Sequence, residues 1–413
     1  GWRDGVRYGA IGLPLAFVAL PLYVNLPDHY AATLGVPLGW LGAVLLAARL
    51  LDALVDPWIG RRVDALLAQS SRRAWGVAAG FGLVLALAFA ALFHPPVAGT
   101  PALLAWCAGW LAVTYLAYSV VSVTHQAWGA RLGGDEVQRG GIVAWREGLA
   151  LAGVLLASVL PSLGGYALTA GLFALTLAIG LALWRVAPAA DRQRAASGGA
   201  AVSPLAQPAF RRLLAVFLVN GIASAVPATL VLFFVRDRLQ APGYAPLFLA
   251  SYFAAAALAM PLWLRVVARI GLARAWLASM LLAVAAFAGA LALGPGDVAA
   301  YAAVCIASGV ALAADLVVPG ALLAGVVMRT PGAGRDEGAY FGWWNFATKL
   351  NLALAAGVAL PMLQAFGYAP GAQDARALDA LAIAYCVLPC LLKLVAAALL
   401  CLLWIRQPQP LTT

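Results

Sequence analysis

Arg49-Leu50-Leu51-Asp52-Ala53-Leu54-Val55-Asp56-Pro57 sets three formal charges inside a stretch otherwise written in Leu, Ala and Val. On an α-helix, at about 100° per residue, Arg49, Asp52 and Asp56 share a stripe about 60° wide. Each charge would cost roughly 2.5–3.5 kcal/mol at the centre of a lipid-facing helix. The stripe is therefore expected to face protein or a water-filled interior. Two carboxylates on one helix face are a plausible ligand set for a cation.

The rest of the chain is consistent with a membrane setting. Of 413 residues, 64% are hydrophobic and 10% charged, and the mean hydropathy is +0.92. Soluble globular proteins carry about 25% charged residues, so a polytopic membrane protein is expected and water-soluble classes are set aside. The net charge of +10 reads as membrane topology, because the arginines cluster in short gaps between apolar segments. No nucleic-acid-binding motif accompanies them. Cys107, Cys305, Cys386, Cys390 and Cys401 all lie in apolar segments and suggest neither a disulfide framework nor a zinc site. The first apolar stretch continues into a full span, so no cleavable signal is expected.

Twelve segments reach the roughly 20 residues needed to cross hydrocarbon. They are expected near 8–33, 37–63, 74–93, 101–130, 141–162, 164–186, 209–235, 243–268, 273–293, 296–328, 338–366 and 378–405. The division is into a bundle over 1–187, a polar linker over 188–208 and a second bundle over 209–413. Arginines gather between spans two and three (Arg61, Arg62, Arg72, Arg73), four and five (Arg131, Arg139), around the linker (Arg185, Arg192, Arg194, Arg211, Arg212), and between eight and nine (Arg265, Arg269, Arg274) and ten and eleven (Arg329, Arg335). The positive-inside rule then makes both termini and the linker cytoplasmic. The halves echo each other. Asp56-Pro57-Trp58-Ile59 precedes Arg73-Ala74-Trp75, and Met260-Pro261-Leu262-Trp263 precedes Arg274-Ala275-Trp276. Two parallel six-helix repeats joined by a cytoplasmic loop are the organisation of the major facilitator fold. Prolines inside spans, such as Pro14, Pro21, Pro27, Pro227 and Pro319, read either as static kinks or as bends around a central site.

Four constellations could carry chemistry. In span two, Asp52 and Asp56 read as a brace with Arg49 or, given their depth, as a cation site; Asp64 reads as part of a cytoplasmic latch. In span eleven, Lys349 is one of two lysines; it sits in mid-span and needs a partner, for which Asp52 and Asp56 are the candidates. Trp344 and Asn345 precede it as candidate substrate-lining residues. Lys393, in the last span, is expected to be peripheral. In span four, Tyr115, Ser119, Ser122 and Gln126 form a polar stripe, read as interhelical hydrogen bonding or as lining for cation and substrate. The adjacent His125 is read as an ordinary hydrogen-bonded histidine, with proton carriage the alternative. In span five, Arg146 could hold a polar or anionic substrate group by a forked contact, or pair with Glu147. Asp315 is a similar case, with Asn220 and Ser224 as possible cavity lining. No nucleotide-binding, metallohydrolase or nucleophile-elbow motif is present, so neither catalysis nor a cofactor is expected.

At these residues the sequence resembles a known family. Tyr8-Gly9, Leu34-Gly35-Val36, the run Ala48 to Gly60, Tyr118-Ser119-Val120-Val121-Ser122, Arg146 and Thr348-Lys349 are similar to the melibiose-permease-type glycoside–pentoside–hexuronide:cation symporters. The resemblance implies a major facilitator fold and sodium, lithium or proton binding at Asp52 and Asp56. It further implies assistance from Ser119, a coupling role for Lys349 and a place for Arg146 at the sugar pocket. There are departures. The family's sugar-binding acid in span one falls at Ala16, and its partner acid in span four falls at Ser122. The cation half of the mechanism looks retained and the sugar half does not. The animal sodium-dependent lysolipid symporters resemble the same family. The expectation is therefore a secondary transporter, coupled to Na+ or H+, for a small organic solute. A lysolipid or fatty-acid-like cargo, or a proton-driven exporter, is the alternative, and a transport-dead receptor the least favoured. A monomer in contact with membrane lipid, in a bacterial inner membrane, completes the expectation.

Overall fold

The computed structural model describes residues 2–130, 132, 136–188, 204–328 and 337–406. Arg131, Arg192, Arg194, Arg329 and Arg335 lie outside them, as do the side chains of Asp64, Arg61, Arg139 and Glu147. The latch expected at Asp64 and the pairing of Arg146 with Glu147 thus fall outside the described residues.

The first unit, residues Gly1–Gly198, contains α1 (Arg3–Thr33), α2 (Leu38–Gln69), α3 (Ser71–Phe93) and α4 (Thr100–Ala130). A further run, Glu136–Arg185, is two helices. Pro161 loosens its ladder, and Gly165 at φ 66°, ψ −171° occupies a backbone region essentially closed to other residues. The break yields α5 (136–163) and α6 (166–185). Pro37 opens α2, and Ser70 ends it while starting α3, its hydroxyl accepting from the Arg73 amide at 3.4 Å. In α1, where Pro21 and Pro27 disturb the α-helical ladder, Pro21–Asn25 and His29–Thr33 wind as π-helix.

The second unit, Gly199–Thr413, contains α7 (Pro208–Arg238), α8 (Ala245–Ile270), α9 (Leu272–Ala290), α10 (Val298–Met328), α11 (Glu337–Ala365) and α12 (Ala375–Ile405). Gly271, at φ 81°, makes the sharp turn between α8 and α9. Eleven helical stretches among the described residues are long and apolar enough to cross a membrane. One of them contains the Gly164–Gly165 break, so the limbs number twelve.

The units pair their helices alike. α1 packs on α5, α2 on α4, and α3 on α4 and α6; α7 packs on α11, α8 on α10, and α9 on α10 and α12. Glycine permits the closest approaches. A Cβ on Gly153 of α5 would fall on the Leu13 carbonyl of α1, and one on Gly309 of α10 on the Tyr252 carbonyl of α8. Without a hydrophobic force between helices in lipid, such small-residue contacts carry much of the packing. At the core of the first unit Phe173 stacks on Phe17 at 5.9 Å and meets Phe89 at a tilt, with centroids 5.0 Å apart. Phe210, Trp263, Trp276, Met280 and Tyr340 fill that of the second. Leu54, Leu163 and Leu258 are among the large apolar side chains left exposed on the outside, as a lipid-facing surface requires. This is an all-helical integral membrane protein.

Candidate functional site

Asp52 is 7% exposed and is gripped from two helices. Ser119 of α4 donates its hydroxyl to Asp52 Oδ1 at 2.7 Å. Arg49, one turn earlier on α2, lies 3.9 Å from Oδ2. That is long for a forked pair, because the guanidinium is held on the ring of Tyr115, 3.9 Å from its centroid. Tyr23 of α1 and Tyr118 of α4 lie within the electrostatic reach of Arg49, and Tyr118 also within that of Asp52 and Arg146. Asp56 follows one turn after Asp52 and is half-buried. The stripe faces protein, and α2 and α4 meet at one carboxylate.

The span-four stripe splits by depth. Tyr115 and Ser119 are buried, Ser122 is half-buried, and Gln126 is exposed while donating to Ser122 Oγ at 2.9 Å. His125 is a packing residue: its Nε2 meets the Tyr8 carbonyl at 2.9 Å, and its ring stacks on Tyr8 at 4.0 Å. The Tyr8 hydroxyl returns a bond to the His125 carbonyl at 2.9 Å. A carbonyl only accepts, so Nε2 carries the proton and is engaged. Arg146 on α5 is half-buried, and α1 comes so close to its backbone that Gly12 has no room for a Cβ.

In the second unit, Lys349 is half-buried, Asn345 exposed, and Trp344 stacked on Phe217 with centroids 3.8 Å apart. The larger polar group there is one that sequence reasoning assembled only in part. Lys393 of α12 is buried rather than peripheral. Its Nζ donates to Asp315 Oδ2 at 2.7 Å and to Asn220 Oδ1 at 2.9 Å. Asp315 also accepts from Asn220 Nδ2 at 3.0 Å, Trp276 Nε1 at 2.7 Å and Ser224 Oγ at 3.4 Å. Asp315, Asn220 and Ser224 were legible as polar residues in spans ten and seven. Lys393 and Trp276 join them only through helix packing, since residues 315 and 393 lie 78 positions apart. Among the described residues, no group of three or more His, Cys, Asp or Glu is arranged to hold a metal ion.

Comparison with known proteins agrees with this architecture. A family described as MFS/sugar transport protein matches residues 7–407. The inner membrane symporter YicJ of Escherichia coli (strain K12) is 31% identical over 170 residues, which are 38% of this chain and 34% of that protein. The match thus spans about a third of the relative's length. Among solved structures, a point mutant of the nucleoside transporter NupG superposes with a TM-score of 0.74 at 14% identity, covering 97% of this chain and all of that one. A bacterial homologue of the human lysosomal transporter Spinster superposes with a TM-score of 0.67 at 12% identity, over 97% and 95% of the two chains. At such identities these structures share the fold alone. With the family match running through all twelve helical limbs, the chain belongs to the MFS/sugar transport protein family.

Proposed function

We propose that this protein is a secondary transporter that moves a small organic solute by alternating access, driven by a monovalent cation bound at Asp52 with Asp56 and Ser119. The observation that carries the reading is the buried Asp52 carboxylate, 2.7 Å from the Ser119 hydroxyl and beside Arg49. A carboxylate in an apolar bundle calls for a counter-charge. The Ser119 hydroxyl serves both states, donating to Oδ1 before a cation arrives and offering a lone pair afterwards. Arg49, parked on Tyr115, keeps a positive charge close enough to weaken cation binding and so keep it exchangeable. Na+ and H+ both suit a carboxylate and hydroxyl set. Lys349 is assigned the coupling role, and Arg146, Tyr115, Ser122, Gln126, Trp344 and Asn345 the substrate wall, on their match to the family pattern. No catalytic step and no cofactor enter the cycle.

A lysolipid or fatty-acid-like cargo is the second reading, favoured by Ala16 and Ser122 standing where the sugar-binding acids fall. The arginine pattern supports both termini on the cytoplasmic side, and similarity to an inner membrane symporter supports a bacterial inner membrane. The test uses proteoliposomes under an imposed Na+ or H+ gradient, with labelled glycosides and a labelled lysolipid as probes. Gradient-driven accumulation of one class is expected, with loss in Asp52→Asn. Full accumulation by Asp52→Asn overturns the cation site.

A further inference from the structure

Arg73-Ala74-Trp75 and Arg274-Ala275-Trp276 are one motif in the two halves, and the units use it differently. Trp276 of α9 is fully buried and gives its Nε1 proton to Asp315 at 2.7 Å. Trp75 of α3 is half-buried, and its Nε1 donates at 3.0 Å to the backbone carbonyl of Leu181 on α6. That bond fixes the ring where α3 meets α6. Arg185, the last residue of α6, lays its guanidinium over the ring, 5.2 Å from the centroid.

A stacked guanidinium keeps its five N–H groups in one plane, with the edges open to an acceptor. Arg185 is exposed, and no hydrogen bond or carboxylate claims it among the described residues. Arg72, one turn before Trp75 on the same face of α3, is likewise exposed and unclaimed. The guanidinium of Arg73 is held only by Gln69 Oε1 at 3.4 Å. Three cations thus gather at one rim with no protein anion among them, at the end the arginine pattern assigns to the cytoplasm.

A second observation concerns what borders that rim. Gly76, next to the ring, is exposed, and a Cβ there would meet nothing. Gly80, Leu83 and Leu87 continue the same face of α3 at spacings of four, three and four, and all are exposed. Leu175 and Ile179 are exposed on α6. A hydrocarbon-facing surface therefore ends directly in a cationic one, with a tryptophan at the boundary, where its apolar body and polar edge both suit the interface. A dissolved anion would need the arginines alone, whereas an amphiphile with an anionic head matches both surfaces.

We propose that the rim of α3 and α6 binds the phosphate of an anionic phospholipid of the surrounding leaflet. Arg185 and Arg72 are the forked ligands, Trp75 is the platform that holds Arg185 flat, and the exposed face of α3 is the bed for an acyl chain. Planar guanidinium groups take phosphate oxygens two at a time, and stacking sets the fork before the lipid arrives. The site lies wholly within the first unit and is separate from Asp52. It stands whether or not the transport reading does.

The experiment is thermal unfolding of the purified full chain in a neutral detergent, titrated with phosphatidylglycerol, phosphatidylcholine or inorganic phosphate. A saturable rise in the midpoint is expected with phosphatidylglycerol and none with the other two at equal concentration. One basic residue beside an anionic lipid is worth about fivefold in affinity. Arg185→Ala and Arg72→Ala should each raise the half-saturating phosphatidylglycerol concentration by about that factor, and the double variant should abolish saturation. Arg185→Lys, which keeps the charge without the stacked fork, should fall between the parent and Arg185→Ala. Arg269→Ala removes the same charge from an exposed position at the end of α8 and should leave the response unchanged. An equal loss in Arg269→Ala would reduce the effect to general surface charge and overturn the site, as would an undiminished response in the double variant. A rise produced equally by inorganic phosphate, or equally by phosphatidylcholine, overturns the assignment to an anionic lipid.

Discussion

Ser119 donates to Asp52 Oδ1 at 2.7 Å in a place where Asp52 is 7% exposed, so no bulk water replaces the bond when it is lost. Hydrogen bonds to charged groups contribute roughly 1.5–3 kcal/mol, and about 1.4 kcal/mol is tenfold in affinity. Ser119→Ala takes that bond from the cation-free site but also the lone pair offered to a bound cation; with the lost ligand dominant, the half-saturating cation concentration should rise about tenfold, while Ser119→Thr, which keeps the hydroxyl, stays near the parent. Cation-dependent thermal shift measures both. An unchanged concentration in Ser119→Ala removes Ser119 from the ligand set. This corner was legible because the 3.6-residue period fixes which residues share a face, and charged residues on a lipid face are too costly. Lys393 was not legible for the same reason turned round. Periodicity says which face of α12 it occupies, but the neighbour that face meets is decided by packing between segments far apart in sequence.

Among the elements, α5 shows how the fold depends on missing side chains. Gly153 lies against the α1 backbone at Leu13 and Phe17, whereas Gly148 on the same helix meets nothing. Backbone cannot swing aside as a side chain can. Gly153→Ala should thus cost about 1–3 kcal/mol of stability, the usual penalty of overpacking. Gly148→Ala should be neutral or stabilising by up to about 1 kcal/mol, as helix propensity dictates. Unfolding midpoints of the two variants in one detergent decide the matter, and equal midpoints would count against close α1–α5 packing. The spans themselves were readable within a few residues, since length and hydropathy suffice to find them. The split at Gly164–Gly165 falls at the junction of the spans expected at 141–162 and 164–186. The π-helical turns of α1 were not readable, because proline announces a disturbed ladder without saying how the freed carbonyls are satisfied.

For the whole molecule, the arginine distribution makes a claim about orientation that vesicles can check. Ser70→Cys, between α2 and α3, should react with a membrane-impermeant maleimide from the cytoplasmic side only, and Asp374→Cys, before α12, from the other side only. Labelling of both from one side would sink the topology. The deeper claim is energetic. Lys349 sits half-buried on α11 and Asp52 on α2, and the proposed cycle makes the energy of one depend on the charge state at the other. Such dependence is a coupling free energy and is measured as non-additivity. Ser119→Ala serves as the partner variant because it weakens cation binding without abolishing it. In a cycle of Ser119→Ala and Lys349→Gln, read as cation affinity from thermal titration, independent residues would add within about 0.5 kcal/mol. If Lys349 carries the coupling role proposed for it, its removal should change cation affinity in the parent. The change should be several-fold different in Ser119→Ala, where the carboxylate has lost its hydroxyl donor. Additive effects would leave the Asp52 site standing and take Lys349 out of the mechanism.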